Sequence, residues 1–177
     1  VGLSCTGRSS GDRKTTENHR VILEEFWSVT NIPFNYAPSL TKGRWAKNCW
    51  NLPFNGVSVA MGGITVDVIC GDVGLRRLAD RVMDETIAVA NADLLERGED
   101  GFGLLGMVEK EKMWDLSDSM GPYKPSTMLD LLERRPMEVK YLFRKPLDRA
   151  VELCVPVPNL EVIVTQIEAL QRMHNLF

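Results

Sequence analysis

A chain of 177 residues is long enough for one ordinary domain, or for one domain and a fragment of another. It is 44% hydrophobic and 25% charged, a composition typical of a globular protein with a sizeable core. The formal net charge of −3 provides no positive field to attract nucleic acid or an anionic membrane, and no apolar run is long enough to span a bilayer. Nucleic-acid-binding and membrane proteins are therefore excluded.

Residues 1–38 predict a small α/β unit. A strand ends near residue 5, a helix with apolar residues at helical spacing follows over 15–29, and a short strand over 31–37 ends at Pro38. Elements of these lengths cannot bury their own apolar faces. We therefore expect residues 1–38 to be the tail of a βαβ domain that begins upstream of Val1.

From residue 39 onward the pattern is helical. Ser39 or Thr41 opens a helix that we expect to kink near Pro53 and to end near Gly56. Asp72 caps a long helix to about residue 96. A further helix is predicted to end near residue 114. Other helices are predicted over 127–134, over 138–154 with an interruption at a proline, and over 160–176. Loops are predicted at 98–106 and 117–125, and an extended linker at 155–159.

The four cysteines lie far apart and the chain has two histidines, so clustered metal ligands are lacking and no metal site is predicted. Three of the four stand in apolar surroundings. This pattern predicts free, buried thiols and a cytoplasmic location.

The most informative segment is residues 45–55, which carries one lysine and two amides at steps of four. At about 100° per residue, Lys47, Asn51 and Asn55 fall within roughly an 80° arc of one helix face. The other residues of the segment are mostly apolar, as in a helix buried in a core. Buried lysine and asparagine are unfavourable unless they are hydrogen-bonded or used, so this stripe is a candidate ligand site.

These residues resemble the ketopantoate reductase (2-dehydropantoate 2-reductase) family. That family has a tryptophan, a lysine and then asparagines four and eight residues beyond the lysine, followed later by a serine with an acid four and another twelve residues on. The matching residues here are Trp45, Lys47, Asn51, Asn55, Ser126, Asp130 and Glu138, and the Val-Pro-Val-Pro-Asn linker at 155–159 is a third similarity. The resemblance implies a mainly α fold, with residues 39–177 forming a helical substrate-binding domain of the 6-phosphogluconate-dehydrogenase-like type behind a short remnant of a Rossmann domain.

The resemblance also implies roles. Lys47 would be the general acid, and Asn51 and Asn55 would hydrogen-bond the substrate carboxylate or hydroxyl while Ser126 binds its other end. Glu138 would contact the cofactor ribose or orient the lysine. The reaction would be reduction of 2-dehydropantoate, or a similar 2-keto acid, to the 2-hydroxy acid for pantothenate and coenzyme A synthesis. The cofactor would be NADPH, bound mainly by the missing N-terminal domain, and a homodimer is one option for the assembly.

The chain departs from the family pattern at several points. A Gly-x-Gly-x-x-Gly phosphate loop is absent, so we expect this chain alone to be inactive and to be a fragment of a longer enzyme. Lys140 and the Phe143-Arg144 pair replace an acid and an Asn-Gly found in many relatives, and Pro53 lies between the two asparagines instead of after them.

Each residue also has a structural interpretation. Lys47 can lie at the edge of the core with its amine in solvent, and the asparagines can satisfy carbonyls freed near the proline of their helix. Ser126 can be an N-cap, and Asp130 and Glu138 can be first-turn carboxylates. The corresponding functional alternatives are a non-enzymatic helical oligomerisation or interaction domain and another dehydrogenase of the same superfamily, of the hydroxyacid or phosphogluconate type.

Overall fold

In the computed structural model, residues 10–30 and 39–177 are described, and every regular element among them is helical. The helix predicted over 15–29 is present as α1. The two predicted strands, at 1–5 and 31–37, lie outside the described residues. The α-helices of the described part are α1 (Ser10–Ser28), α2 (Leu40–Ala60), α3 (Val66–Gly71), α4 (Val73–Glu96), α5 (Met107–Ser119), α6 (Ser126–Leu132), α7 (Lys145–Glu152) and α8 (Pro158–His174).

Helix α2 is the centre of the domain and packs against α3, α4, α5, α6 and α8. It begins as predicted, because the Ser39 hydroxyl accepts a hydrogen bond from the Lys42 amide at 2.9 Å. The second half of α2 supplies fully buried side chains, among them Leu52, Phe54 and Val57. They share the core with fully buried side chains of α4 (Val82 and Met83) and of α8 (Leu160, Ile163 and Ile167). The predicted mainly α fold is confirmed for the described residues.

The prediction that α2 ends near Gly56 is wrong, since the helix continues through Pro53 to Ala60. Gly56 is not a stop signal but a point of close approach to α8. A Cβ atom there would lie 2.9 Å from Cγ2 of Ile163. The apolar face also continues past it, because Val57 and Val59 are fully buried.

Other boundaries differ where tertiary contacts outweigh local signals. The short α3 was not predicted, and it is tied to the loop before α6 by a 3.0 Å bond from the Val66 amide to the Tyr123 carbonyl. Helix α5 extends to Ser119, beyond its predicted end near residue 114, because Ser117 is buried and accepts a hydrogen bond from the Trp50 indole. The helix predicted over 138–154 is instead a π-helical segment, Lys140–Arg144, followed by α7, with Pro146 in the first turn of α7.

The prediction of three buried thiols is also wrong. Among the described cysteines Cys49 is buried, Cys70 is half-buried and Cys154 is exposed. Burial raises the pKa of the Cys49 thiol to about 12. Cys154 lies just past the end of α7 with a left-handed φ of 54°, which turns the chain at the surface. None of the described helices combines the length and apolar character needed to cross a membrane.

Candidate active site

The three polar residues of α2 share one face, as their spacing predicts, but their burial increases along the helix. Lys47 is exposed, Asn51 is half-buried and Asn55 is 1% exposed. The expectation of a buried lysine is therefore wrong. Trp45 faces the core, and a residue two positions later lies about 200° further round the helix, so Lys47 points away from the core.

Asn55 joins α2 to the start of α6. Its side-chain oxygen Oδ1 accepts a hydrogen bond from the Thr127 amide at 3.2 Å, and its Nδ2 donates to Oδ1 of Asn51 at 3.4 Å. The residue at the N-cap of α6 is Pro125, which has no side-chain acceptor, so Asn55 satisfies one of the free amides of that helix. The amides of Asn51 and Asn55 are thus bonded to each other and to α6, and not to carbonyls near Pro53.

Ser126 is the exposed first residue of α6, next to the amide that Asn55 binds. The interpretation of Ser126 as an N-cap is wrong, because Pro125 holds that position. Asp130 is the fifth residue of the helix and pairs with Arg135 at 2.9 Å, so the interpretation of Asp130 as a first-turn carboxylate is also wrong.

Glu138 is exposed and precedes the π-helical segment, where it lines a groove of about 460 Å³ together with Lys140, Tyr141, Arg144 and Glu168. The hydrogen bonds found among the described residues do not connect Glu138 with Lys47, the asparagines or Ser126. The structure therefore brings together the asparagines and the start of α6, and leaves Glu138 at a separate groove.

Two of the departures from the family pattern have structural roles beside this groove. Phe143 is fully buried and faces Gly56 of α2. Arg144 forms a two-pronged pair with Glu168 of α8, with an Nε–Oε1 distance of 2.6 Å. Both residues fix the π-helical segment against the core.

The described residues lack the turn that would hold the phosphates of a dinucleotide. Such cofactors place their phosphates at a glycine-rich turn between a strand and a helix, and residues 10–30 and 39–177 contain no strand that could precede one. The exposed carboxylate of Glu138 can accept a hydrogen bond from a ribose hydroxyl. No group of three or more potential metal-binding side chains lies close together within the described ranges.

Sequence reasoning missed two residues that hold the site. Thr127 contacts Asn55 from 72 residues away in sequence, a separation that no local pattern reveals. Asp93 is 3% exposed on α4, and its Oδ2 accepts a 2.8 Å hydrogen bond from the indole Nε1 of Trp45. Burial acts to raise the pKa of Asp93, but hydrogen bonds from Trp45, Arg149 and Arg97 outweigh it and hold that pKa below its ordinary value. The sequence signal that could have identified Asp93 is an acidic residue on the apolar face of α4.

Comparison with known proteins gives a consistent result. Residues 39–171 match the ketopantoate reductase PanE/ApbA C-terminal family. A 2-dehydropantoate 2-reductase of Nostoc sp. is 30% identical over 155 residues, which are 88% of this chain and 46% of that protein. The crystal structure of 2-dehydropantoate 2-reductase from Geobacter metallireducens GS-15 has 33% identity and a TM-score of 0.65, over 73% of this chain and 41% of the other.

A dimeric ketopantoate reductase from Staphylococcus aureus shares the fold, with 20% identity and a TM-score of 0.69 over 90% of this chain and 52% of the other. The chain spans about half the length of the relatives it matches, or slightly less. From the family match, which covers three quarters of the chain, we conclude that this chain belongs to the ketopantoate reductase family through the family's helical C-terminal domain.

Proposed function

We propose that this chain is the substrate-binding and catalytic half of an NADPH-dependent reductase that converts 2-dehydropantoate, or a similar 2-keto acid, to the 2-hydroxy acid. The hydrogen bond between Asn55 and the Thr127 amide is the observation that carries the proposal. It brings together the two polar blocks of the sequence, whose bonded residues are 72 positions apart in the chain. Family membership supplies the reaction class.

Lys47 is the proposed general acid. When a hydride is added to a ketone, the carbonyl oxygen becomes an alkoxide, and a nearby ammonium both stabilises that charge and delivers the proton. Lys47 is exposed on the same face of α2 as the two asparagines. Its ammonium is therefore accessible to a substrate held between this domain and a nucleotide-binding domain.

Asn51 and Ser126 are the proposed direct contacts to the substrate. Asn51 is half-buried and Ser126 is exposed, so both have polar atoms within reach of a ligand. Asn55 uses its oxygen for Thr127 and one amide hydrogen for Asn51, which leaves its second amide hydrogen for the substrate carboxylate or hydroxyl. Amides and a hydroxyl orient a small hydroxy-keto acid without neutralising the lysine.

NADPH supplies the hydride in this proposal and is bound mainly outside residues 39–177. Glu138 is the residue of this domain that we assign to the cofactor ribose, since its carboxylate is exposed beside a groove. A homodimer is part of the proposal, by analogy with the dimeric Staphylococcus aureus relative of the same fold.

The test is Lys47→Ala in the natural protein extended upstream of Val1, with NADPH consumption measured against 2-dehydropantoate and a panel of 2-keto acids. Loss of the general acid should lower kcat by about 100-fold or more. Lys112→Ala is the control, because Lys112 is an exposed lysine of α5 that belongs to neither polar block. An unchanged kcat in Lys47→Ala would rule out the proposed role, and turnover confined to substrates unlike 2-dehydropantoate would identify another dehydrogenase of the superfamily.

A further inference from the structure

A buried hydrogen bond joins Trp45 of α2 to Asp93 of α4, two residues before the candidate general acid Lys47. Trp45 is 7% exposed and Asp93 is 3% exposed, and the indole Nε1 of Trp45 lies 2.8 Å from Oδ2 of Asp93. We infer that Asp93, acting through Trp45, is a positioning residue that sets the direction in which Lys47 points. The inference rests on the proposed function, since it concerns the same lysine.

The direction of Lys47 depends on the rotation of α2. No hydrogen bond or ion pair holds its ammonium within the part of the chain that the structure describes, so the side chain follows the helix that carries it. Trp45 lies on nearly the opposite side of the helix, two residues earlier. At a side-chain radius of about 5–6 Å, rotating α2 by 10° moves the tip of a side chain by about 1 Å. A displacement of that size at a reacting group can lower the rate by about 100-fold.

Asp93 is itself held from two sides. Its Oδ1 accepts hydrogen bonds from Nε of Arg97 at 2.9 Å and from Nε of Arg149 at 2.7 Å. Arg149 lies on α7 and also pairs with Glu96 and Glu152. The acceptor that Trp45 meets is therefore fixed by α4 and α7 together. A buried carboxylate that is held by two arginines can specify the geometry of the helices that it joins.

The second indole of α2 forms a weaker restraint. Trp50 lies three residues after Lys47 and donates to the neutral hydroxyl of Ser117 at 3.0 Å. A hydrogen bond to a carboxylate is roughly twice as strong as one between neutral groups. Of the two indole hydrogen bonds of α2, the bond to Asp93 is therefore the stronger restraint on the rotation of the helix near Lys47.

The experiment is Trp45→Phe in the natural protein extended upstream of Val1, because phenylalanine keeps an aromatic ring and removes the donor. The smaller ring also loses some packing, which the control variant below shares. We expect kcat to fall by about 10-fold or more while KM changes by less than about threefold, since the general acid is displaced and the substrate contacts remain. Trp114→Phe is the matched control. It removes an indole–aspartate bond of 3.0 Å to Asp80, between α5 and α4, and should leave kcat within about twofold.

Asp93→Asn provides a second variant that keeps an acceptor for the indole but loses the charge, so its kcat should lie between those of Trp45→Phe and the unaltered protein. The melting temperature of each variant is recorded in parallel. An unchanged kcat in Trp45→Phe, a rise in KM alone, or an equal fall in kcat in Trp114→Phe would overturn the inference while leaving the proposed function intact. If the unaltered protein reduces none of the keto acids, the proposed function fails and this inference fails with it.

Discussion

At the scale of single residues, Asn55 has a structural task inside the candidate site. Helix α6 begins after Pro125, whose side chain cannot cap it, and Thr127 in the first turn is buried. Without Asn55 the amide of Thr127 would have no acceptor, and an unsatisfied buried donor is costly. Asn51 lies one turn earlier and is half-buried, so water can replace its partner. Two asparagines that look equivalent in the sequence therefore differ in what they contribute to stability.

Asn55→Ala should lower the free energy of unfolding of the 177-residue chain by about 1–2 kcal/mol, because it removes the acceptor for a buried helix amide. Asn51→Ala should lower it by less than about 0.5 kcal/mol, as is usual for positions that water can reach. Urea unfolding followed by circular dichroism measures both. Equal effects of the two variants would contradict the assignment of Asn55 as the residue that caps α6.

At the scale of the helices, the boundaries set by local sequence were predictable, and those set by close packing were not. Asp72, and either Ser39 or Thr41, were predicted as helix starts, and the side chains of Asp72 and Ser39 each accept a hydrogen bond from an amide three residues later. Asp72 also ends α3, but a helix of six residues is too short to leave a periodic pattern, so α3 was missed. Gly56 resembled a stop signal because the sequence cannot show that α8 lies against it.

In the candidate site too, the features set by local helix geometry were predictable and those set by packing were not. The step of four residues correctly predicted one shared face for Lys47, Asn51 and Asn55, since that depends only on helix geometry. Their unequal burial depends on which neighbouring helices cover each turn of α2. Thr127 and Asp93 were missed for that reason, because each reaches α2 from a distant part of the chain.

Gly56→Ala tests the close approach of α2 and α8. Alanine is intrinsically better than glycine in a helix by about 1 kcal/mol, but its Cβ would collide with the buried, β-branched Ile163, and overpacking of this kind usually opposes folding by about 1–3 kcal/mol. We expect a net loss of up to about 2 kcal/mol in the free energy of unfolding, measured by thermal or urea unfolding. Gly71→Ala in α3 is the matched control, since an added Cβ there meets nothing within 4 Å. A stabilised Gly56→Ala variant would show that the contact between the helices is loose.

At the scale of the whole molecule, most charged side chains of the described residues lie partly or fully exposed at the surface, and the Asp93 carboxylate is buried. The pairs Arg76–Asp118 and Arg144–Glu168 are partly exposed, and pairs of this kind contribute little because water screens them. Asp93 is the buried carboxylate of the described part, and it meets two arginines and an indole. The response of the fold to acid should therefore depend on this residue more than on the net charge.

The pH dependence follows from the direction of the pKa shift. The pKa of Asp93 is held below its ordinary value, so its contribution to stability is fully present above about pH 4 and is lost as the pH falls through the lower folded-state pKa. The free energy of unfolding should therefore fall as the pH drops below about pH 4, which urea titrations at several pH values can measure. Asp93→Asn should be less stable than the unaltered chain at about pH 7 and should lose less stability on acidification, because asparagine does not titrate. Asp118→Asn, which alters an exposed pair, should keep the acid response of the unaltered chain. If Asp93→Asn lost as much stability in acid as the unaltered chain does, the acid response would have to arise from the surface carboxylates instead.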